Sequence, residues 1–280
     1  MMTRLQSLDR LRDVHPGQEI ISHRKETVVL AIMGVILLLT GTYAGVGWSS
    51  FLHGFQSSFP TGAGYARTVL CVVMVLLIGA RDSVSRVDKR LLLAAFGLTL
   101  VADFFLILLD WMMTGTVLFL GVHAIFIARH AKGFRGSLGQ SARARTLGWL
   151  VATGAVAFGG SAVLLYCAAS LLLPTGMFAV DCVYIFVLAL SLWMAWGTLI
   201  RDAYPSFNGW LIAFGMTFFY FCDVSVGLAA PFKGTMVGGI LNNLVGFFYT
   251  PALVLLALSG FRFRSDTDAT RALTPAQPEA

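Results

Sequence analysis

From residue 27 onward the chain reads as long apolar runs separated by short polar intervals, at about 27–47, 65–80, 91–109, 114–128, 147–173, 178–199, 210–230 and 236–260. A helix needs about 20 apolar residues to cross a bilayer, so the pattern predicts eight transmembrane helices. The second and fourth runs are the shortest, their edges are soft, and a seven-helix count stays open. The runs are continuously apolar, without the alternation that marks the strands of a membrane barrel. The expected fold is an all-α polytopic bundle over 27–260, with an N-terminal arm at 1–26 and a polar tail at 261–280.

Composition agrees with this pattern. Of 280 residues 57% are hydrophobic and 12% charged, about half the charged share of an ordinary globular chain, and the mean hydropathy is +0.79. The arm before Thr27 is too long and too mixed in charge for the n-region of a cleaved signal peptide. The tail from Asp266 is small, polar and Pro-containing, and is expected to be disordered. Cys71, Cys167, Cys182 and Cys222 all fall inside apolar runs with no CxxC spacing, and read as small hydrophobes in a packed bundle.

Charge then gives orientation. The arm, the 81–90 interval, the 129–146 interval, the 200–209 interval and the tail together hold 18 of the 20 Lys and Arg residues. With eight helices these segments share one side, so the positive-inside rule places both termini in the cytoplasm of, as expected here, a bacterial inner membrane. The net charge of +6 therefore needs no nucleic-acid partner. Basic loops beside apolar helices meet anionic headgroups.

The few polar residues inside the runs carry the chemical information. At about 1.5 Å per helical residue, Asp103 lies beyond the midplane and His123, on the returning helix, near the same level. Asp223, Asp181, Asn242, Asn243 and Arg67 fall in that same outer half, whereas the inner half is expected to be almost free of polar groups. One polar cavity shared by six helices and opening outward is the economical reading. Asp110, in a short turn, reads as solvated, and His15, His23, His53 and His130 as surface residues. Asp181 reads equally as an interfacial residue, and Asn242 and Asn243 equally as interhelical hydrogen-bonding glue. The glycine pairs 159–160 and 238–239 are expected to allow close helix contact.

A charge buried at the depth of Asp103, His123 or Asp223 costs several kcal/mol at least, which favours function over packing for these three. A zinc site needs three or more converging ligands, and His123 is the one histidine within a run. A serine hydrolase of the GxSxG type is excluded, because that motif does not occur. Two carboxylates in an apolar wall suit general acid and base catalysis, but they suit a proton-coupled transporter as well, and a membrane scaffold would not need them.

The residues resolve this choice by resemblance. Gly115, Phe119 and His123 recur at intervals of four after the pair Ala102-Asp103, and the later run reads FFYFCDVSVGL around Asp223. This resembles the YhhN-type lysoplasmalogenase family, whose pattern has Gly-Asp followed by Gly, Phe and His at these spacings, and a phenylalanine-rich run ending in Ser-Asp. The order matches from the second helix to the eighth. Ala102 stands for the family's Gly, Cys222 for its Ser, Arg67-Thr68 for its Lys-Pro, and Leu253 for a Gln, while Tyr249 and Ala252 are kept. The resemblance implies hydrolysis of the vinyl ether bond of a lysophospholipid to a fatty aldehyde and glycerophosphoethanolamine or glycerophosphocholine, with no cofactor. Asp103 and Asp223 would be the acid and base and His123 their partner. Arg67 would take the phosphate, and Asp181, Asn242, Asn243 and Tyr249 would line the substrate's site.

Overall fold

The computed structural model describes residues 27–38, 40–42, 45, 61–77, 83–134, 143–173 and 178–261. Its helices are α1 (Thr27–Thr42), α2 (Thr61–Leu77), α3 (Arg86–Asp103, continued by a π-helical turn at Phe104–Leu108), α4 (Met112–His130), α5 (Arg143–Leu172), α6 (Phe178–Ile200), α7 (Ser206–Ala229) and α8 (Met236–Leu258). The helices α3 to α8 are each long and apolar enough to cross a membrane, and α1 and α2 are apolar but shorter. Among the described residues there is no strand, only an isolated bridge between Ser83 and Phe261. The protein is an all-helical integral membrane protein. The arm, His15, His23, His53 and residues 262–280 lie outside the described residues.

Short connections make sequential helices antiparallel, and the packing closes on itself. α2 lies against α3, α3 against α4, α4 against α6, α6 against α7, α7 against α8, and α8 returns to α2. Six helices thus form a ring, and α5 packs outside it against α6. The ring's interior holds Met74, Phe96, Phe126, Met216, Phe219 and Leu253, joined by Val29 and Ile36 of α1. α5 instead turns large apolar side chains outward, among them Val156 and Tyr166, as a helix facing hydrocarbon should.

The basic end of the bundle departs from expectation. Arg129 belongs to α4 and is completely buried, as is His130 beside it, so His130 is not a surface residue and the inner half is not empty of polar groups. Runs of charge between apolar segments read as loop, but here each nitrogen of the guanidinium has an acceptor. Arg129 donates from Nε and Nη2 to the two oxygens of Asp88, each at 2.9 Å, and from Nη1 to Ser259 Oγ at 2.9 Å. Tyr204 donates to Asp88 at 2.5 Å, its phenol pushed up from its ordinary pKa by burial. Asn208 donates to the carbonyls of Ser259 and Phe261 at 2.9 and 2.6 Å. Asp88 also lies in the first turn of α3, where Ser85 caps the helix by accepting from its amide at 3.0 Å. This clasp ties the ends of α3, α4, α7 and α8 together.

Glycine packing is likewise uneven. A Cβ on Gly159 or Gly160 would meet nothing within 4 Å, so this pair mediates no close helix contact. A Cβ on Gly238 would sit 2.2 Å from the Phe232 carbonyl oxygen, which belongs to the preceding turn rather than to another helix.

Breaking a buried ion pair strands a charge and costs about 3–5 kcal/mol. Arg129→Met is therefore expected to lower the melting temperature of the detergent-solubilised protein by that loss. The double variant Arg129→Met with Asp88→Leu should recover most of it. Equal melting of the single and double variants would contradict this account.

Candidate active site

Two carboxylates in the ring's interior define the site, each held by helices on either side of it. Asp103 ends the α-helical part of α3 and is 2% exposed. Its Oδ2 accepts from the Thr68 hydroxyl of α2 and from the Tyr249 hydroxyl of α8, the latter at 2.5 Å. Arg67, one residue before Thr68, is buried and donates to Thr250 Oγ1 at 2.8 Å, and its charge acts on Asp103. A carboxylate without such donors would not be tolerated in a water-poor interior.

Asp223 of α7 is built the same way from the other side. Its Oδ2 accepts from His123 Nε2 of α4 at 2.8 Å and from the Tyr184 hydroxyl of α6 at 2.9 Å. His123 is fully buried and its Nδ1 meets no partner, which suits a neutral ring with its hydrogen on Nε2. Phe219 stands between the two halves, with its ring 5.0 Å from that of His123 and 6.0 Å from that of Tyr249. His123 and Tyr249, the partners of the two carboxylates, thus meet the same ring.

The four-residue spacing of Gly115, Phe119 and His123 now has a physical reason. Four residues is close to one helical turn, so the three share the buried face of α4. Gly115 admits the π-helical turn that follows Asp103: a Cβ there would lie 2.2 Å from Leu106 Cγ. Phe119 meets Phe219 edge to face at 5.9 Å, and His123 reaches Asp223. π-helical turns inside α-helices occur frequently at functional sites, and this one adjoins Asp103.

Asp223 also borders a cleft. Between α5, α6 and α7, on the flank of the ring, a partly open cleft is lined by Leu164, Leu165, Ile185, Leu188 and Leu228, with Asp181, Tyr184 and Asp223 as its ionisable or hydroxyl-bearing residues. Asp223 thus faces the interior through His123 and the flank through Tyr184.

The residues singled out in the sequence separate into groups. Asp103, Arg67 and Tyr249 lie on one side of Phe219, His123 and Asp223 on the other, and Asp181 at the cleft. Asn242 is exposed and Asn243 half-buried, and neither lines the cleft or bonds to a carboxylate. Asp110 is exposed in a left-handed turn, φ 54°. Sequence reasoning did not single out Tyr184, Thr250 or Phe219, and treated Thr68 as no more than a departure from proline. A tyrosine in a membrane run needs a partner for its hydroxyl, and Tyr184, three residues after Asp181, shares its helix face. Thr68 supplies a donor that proline lacks. Among the described residues no three His, Cys, Asp or Glu side chains converge as a metal site would require.

A ring of apolar helices around two hydrogen-bonded carboxylates makes this a membrane protein with polar groups inside its helical bundle. Residues 63–260 match the YhhN family, and the chain belongs to that family. No curated protein and no solved structure matches it.

The Gly115 contact is directly testable. Gly115→Ala should cost about 1–3 kcal/mol through overpacking against Leu106, read as a lowered melting temperature. Gly97→Ala in α3, where a Cβ would meet nothing within 4 Å, should leave the melting temperature unchanged or raise it. Equal behaviour of the two variants would refute the tight packing at Leu106.

Proposed function

We propose that the protein is a lysoplasmalogenase, hydrolysing the vinyl ether of a lysophospholipid to a fatty aldehyde and a glycerophosphoethanolamine or glycerophosphocholine. The observation that carries this reading is Asp223, hydrogen-bonded by His123 and Tyr184 at the wall of a cleft lined mostly by apolar side chains. Such a cleft suits a single alkyl chain, whose burial contributes about 0.8 kcal/mol per methylene. Membership of the family is consistent with a hydrolase.

In this reading Asp223, the carboxyl of the pair that lines the cleft, acts as the acid and gives its proton to the vinyl carbon β to the ether oxygen. The ether oxygen and its neighbouring carbon then share the positive charge as an oxocarbenium ion, which the new carboxylate stabilises, as one carboxyl of a glycosidase pair does. Asp103 does not line the cleft, so in this reading water adds to that carbon from the ring's interior, the side of Phe219, as Asp103 takes its proton as the base. The hemiacetal collapses when Asp223 removes its hydroxyl proton and Asp103 returns a proton to the leaving glycerol oxygen. One water is consumed and both carboxyls regain their starting states. Thr68 and Tyr249 hold Asp103 in position, and Arg67, placed by Thr250, counters its charge. That placement suits charge compensation better than capture of a phosphate at the bundle surface. With both termini in the cytoplasm of a bacterial inner membrane, the site lies in the outer half of the bilayer.

Purified protein in detergent should release aldehyde from lysoplasmenylethanolamine. Asp103→Asn and Asp223→Asn should each lower the rate by at least about 100-fold, the scale of general acid and base catalysis, while remaining folded by melting analysis. No aldehyde from the wild-type protein, or full rates in both variants, would end this reading.

A further inference from the structure

The cleft that reaches Asp223 has a direction. On α6, Asp181, Tyr184, Ile185 and Leu188 all line it, spaced so that they form one face of the helix. Asp181 lies in the first turn of α6, about 4.5 Å along the axis from Tyr184 on the side of the helix end, and Leu188 lies about 6 Å from Tyr184 on the side of the bilayer centre. α7 runs the opposite way, so its Leu228 sits toward the Asp181 end and its Asp223 deeper, opposite Tyr184. The cleft therefore grades from an acidic mouth, through the hydrogen-bonded carboxylate, to an apolar floor.

A lysolipid has the same gradient, with a polar head, a reactive ether and a chain. Placing the chain against Leu188 and Leu164 and the ether at Asp223 leaves the headgroup at Asp181. Among the described residues that carboxylate, half-buried, has no hydrogen bond or ion pair of its own, whereas Asp88, Asp103 and Asp223 are each engaged by at least two donors. We propose that Asp181 receives the ammonium of an ethanolamine or choline headgroup and so makes the cleft selective for cation-headed lysolipids over those with neutral headgroups. This rests on the hydrolase reading above for the position of the ether. A merely structural Asp181, favourable because it stands at the positive end of α6, would affect all lipids alike.

The test is equilibrium binding of non-cleavable 1-O-alkyl lysolipids to the detergent-solubilised full chain, with phosphoethanolamine, phosphocholine and phosphoglycerol headgroups. Wild-type protein should prefer the two ammonium-bearing lipids by about fivefold to tenfold, the scale of a partly desolvated ion pair. Asp181→Asn should abolish the preference and Asp181→Glu should restore most of it. Absence of a preference in the wild type, or one that survives Asp181→Asn, would overturn the proposal. Because these lipids cannot be hydrolysed, an Asp181-dependent preference in a protein that releases no aldehyde would refute the hydrolase alone. Aldehyde release with no Asp181-dependent preference would refute the headgroup assignment alone.

Discussion

A carboxylate inside a membrane protein has no water to fall back on, so the protein itself must furnish every donor that keeps it there. This requirement shapes the interior of the ring. Asp103 draws on α2 and α8, and Asp223 on α4 and α6, so all six ring helices are committed to positioning two side chains. The helices could pack through apolar contacts alone, but those contacts are weakly directional in lipid, where chains are as apolar as leucine. Hydrogen bonds to two buried acids give the assembly a register.

The two ends of the bundle use polar groups differently. At the basic end, Asp88 and Arg129 form a bidentate pair whose remaining donors and acceptors are taken by Ser259 and Tyr204. Beside the pair, the buried ring nitrogens of His130 and Asn208 Oδ1 meet no partner among the described residues. Toward the other end the donors of each acid converge on one oxygen, Oδ2, and the second oxygen of each is available for chemistry. The clasp at one end thus holds an ion pair with both charges engaged, while the acids toward the other end keep one oxygen clear of these donors.

The bundle was largely legible in the sequence because lipid imposes long, unbroken apolar runs, and the eight runs correspond to eight helices. Asp103, His123 and Asp223 stood out because ions at depth are rare. The clasp was not legible: Arg129 and Asp88 lie at the ends of helices, where a charged residue looks identical whether it meets water or a buried partner. Tyr184, Thr68 and Thr250 were also hidden, because hydroxyl groups tolerate apolar runs and only the folded arrangement reveals what they bond. The spacing of Gly115, Phe119 and His123 could be recognised as a pattern, but its cause, a glycine admitting Leu106 from a π-helical turn, appears only in three dimensions.

The position of the cleft has one further consequence. It lies on the bundle's flank between α5 and the ring rather than along a central pore, so a hydrophobic molecule can slide into it from the surrounding leaflet without crossing an aqueous phase. Encounter is then a two-dimensional search, governed by the mole fraction of that molecule among its neighbouring lipids and by their fluidity. Its concentration in the surrounding water scarcely enters.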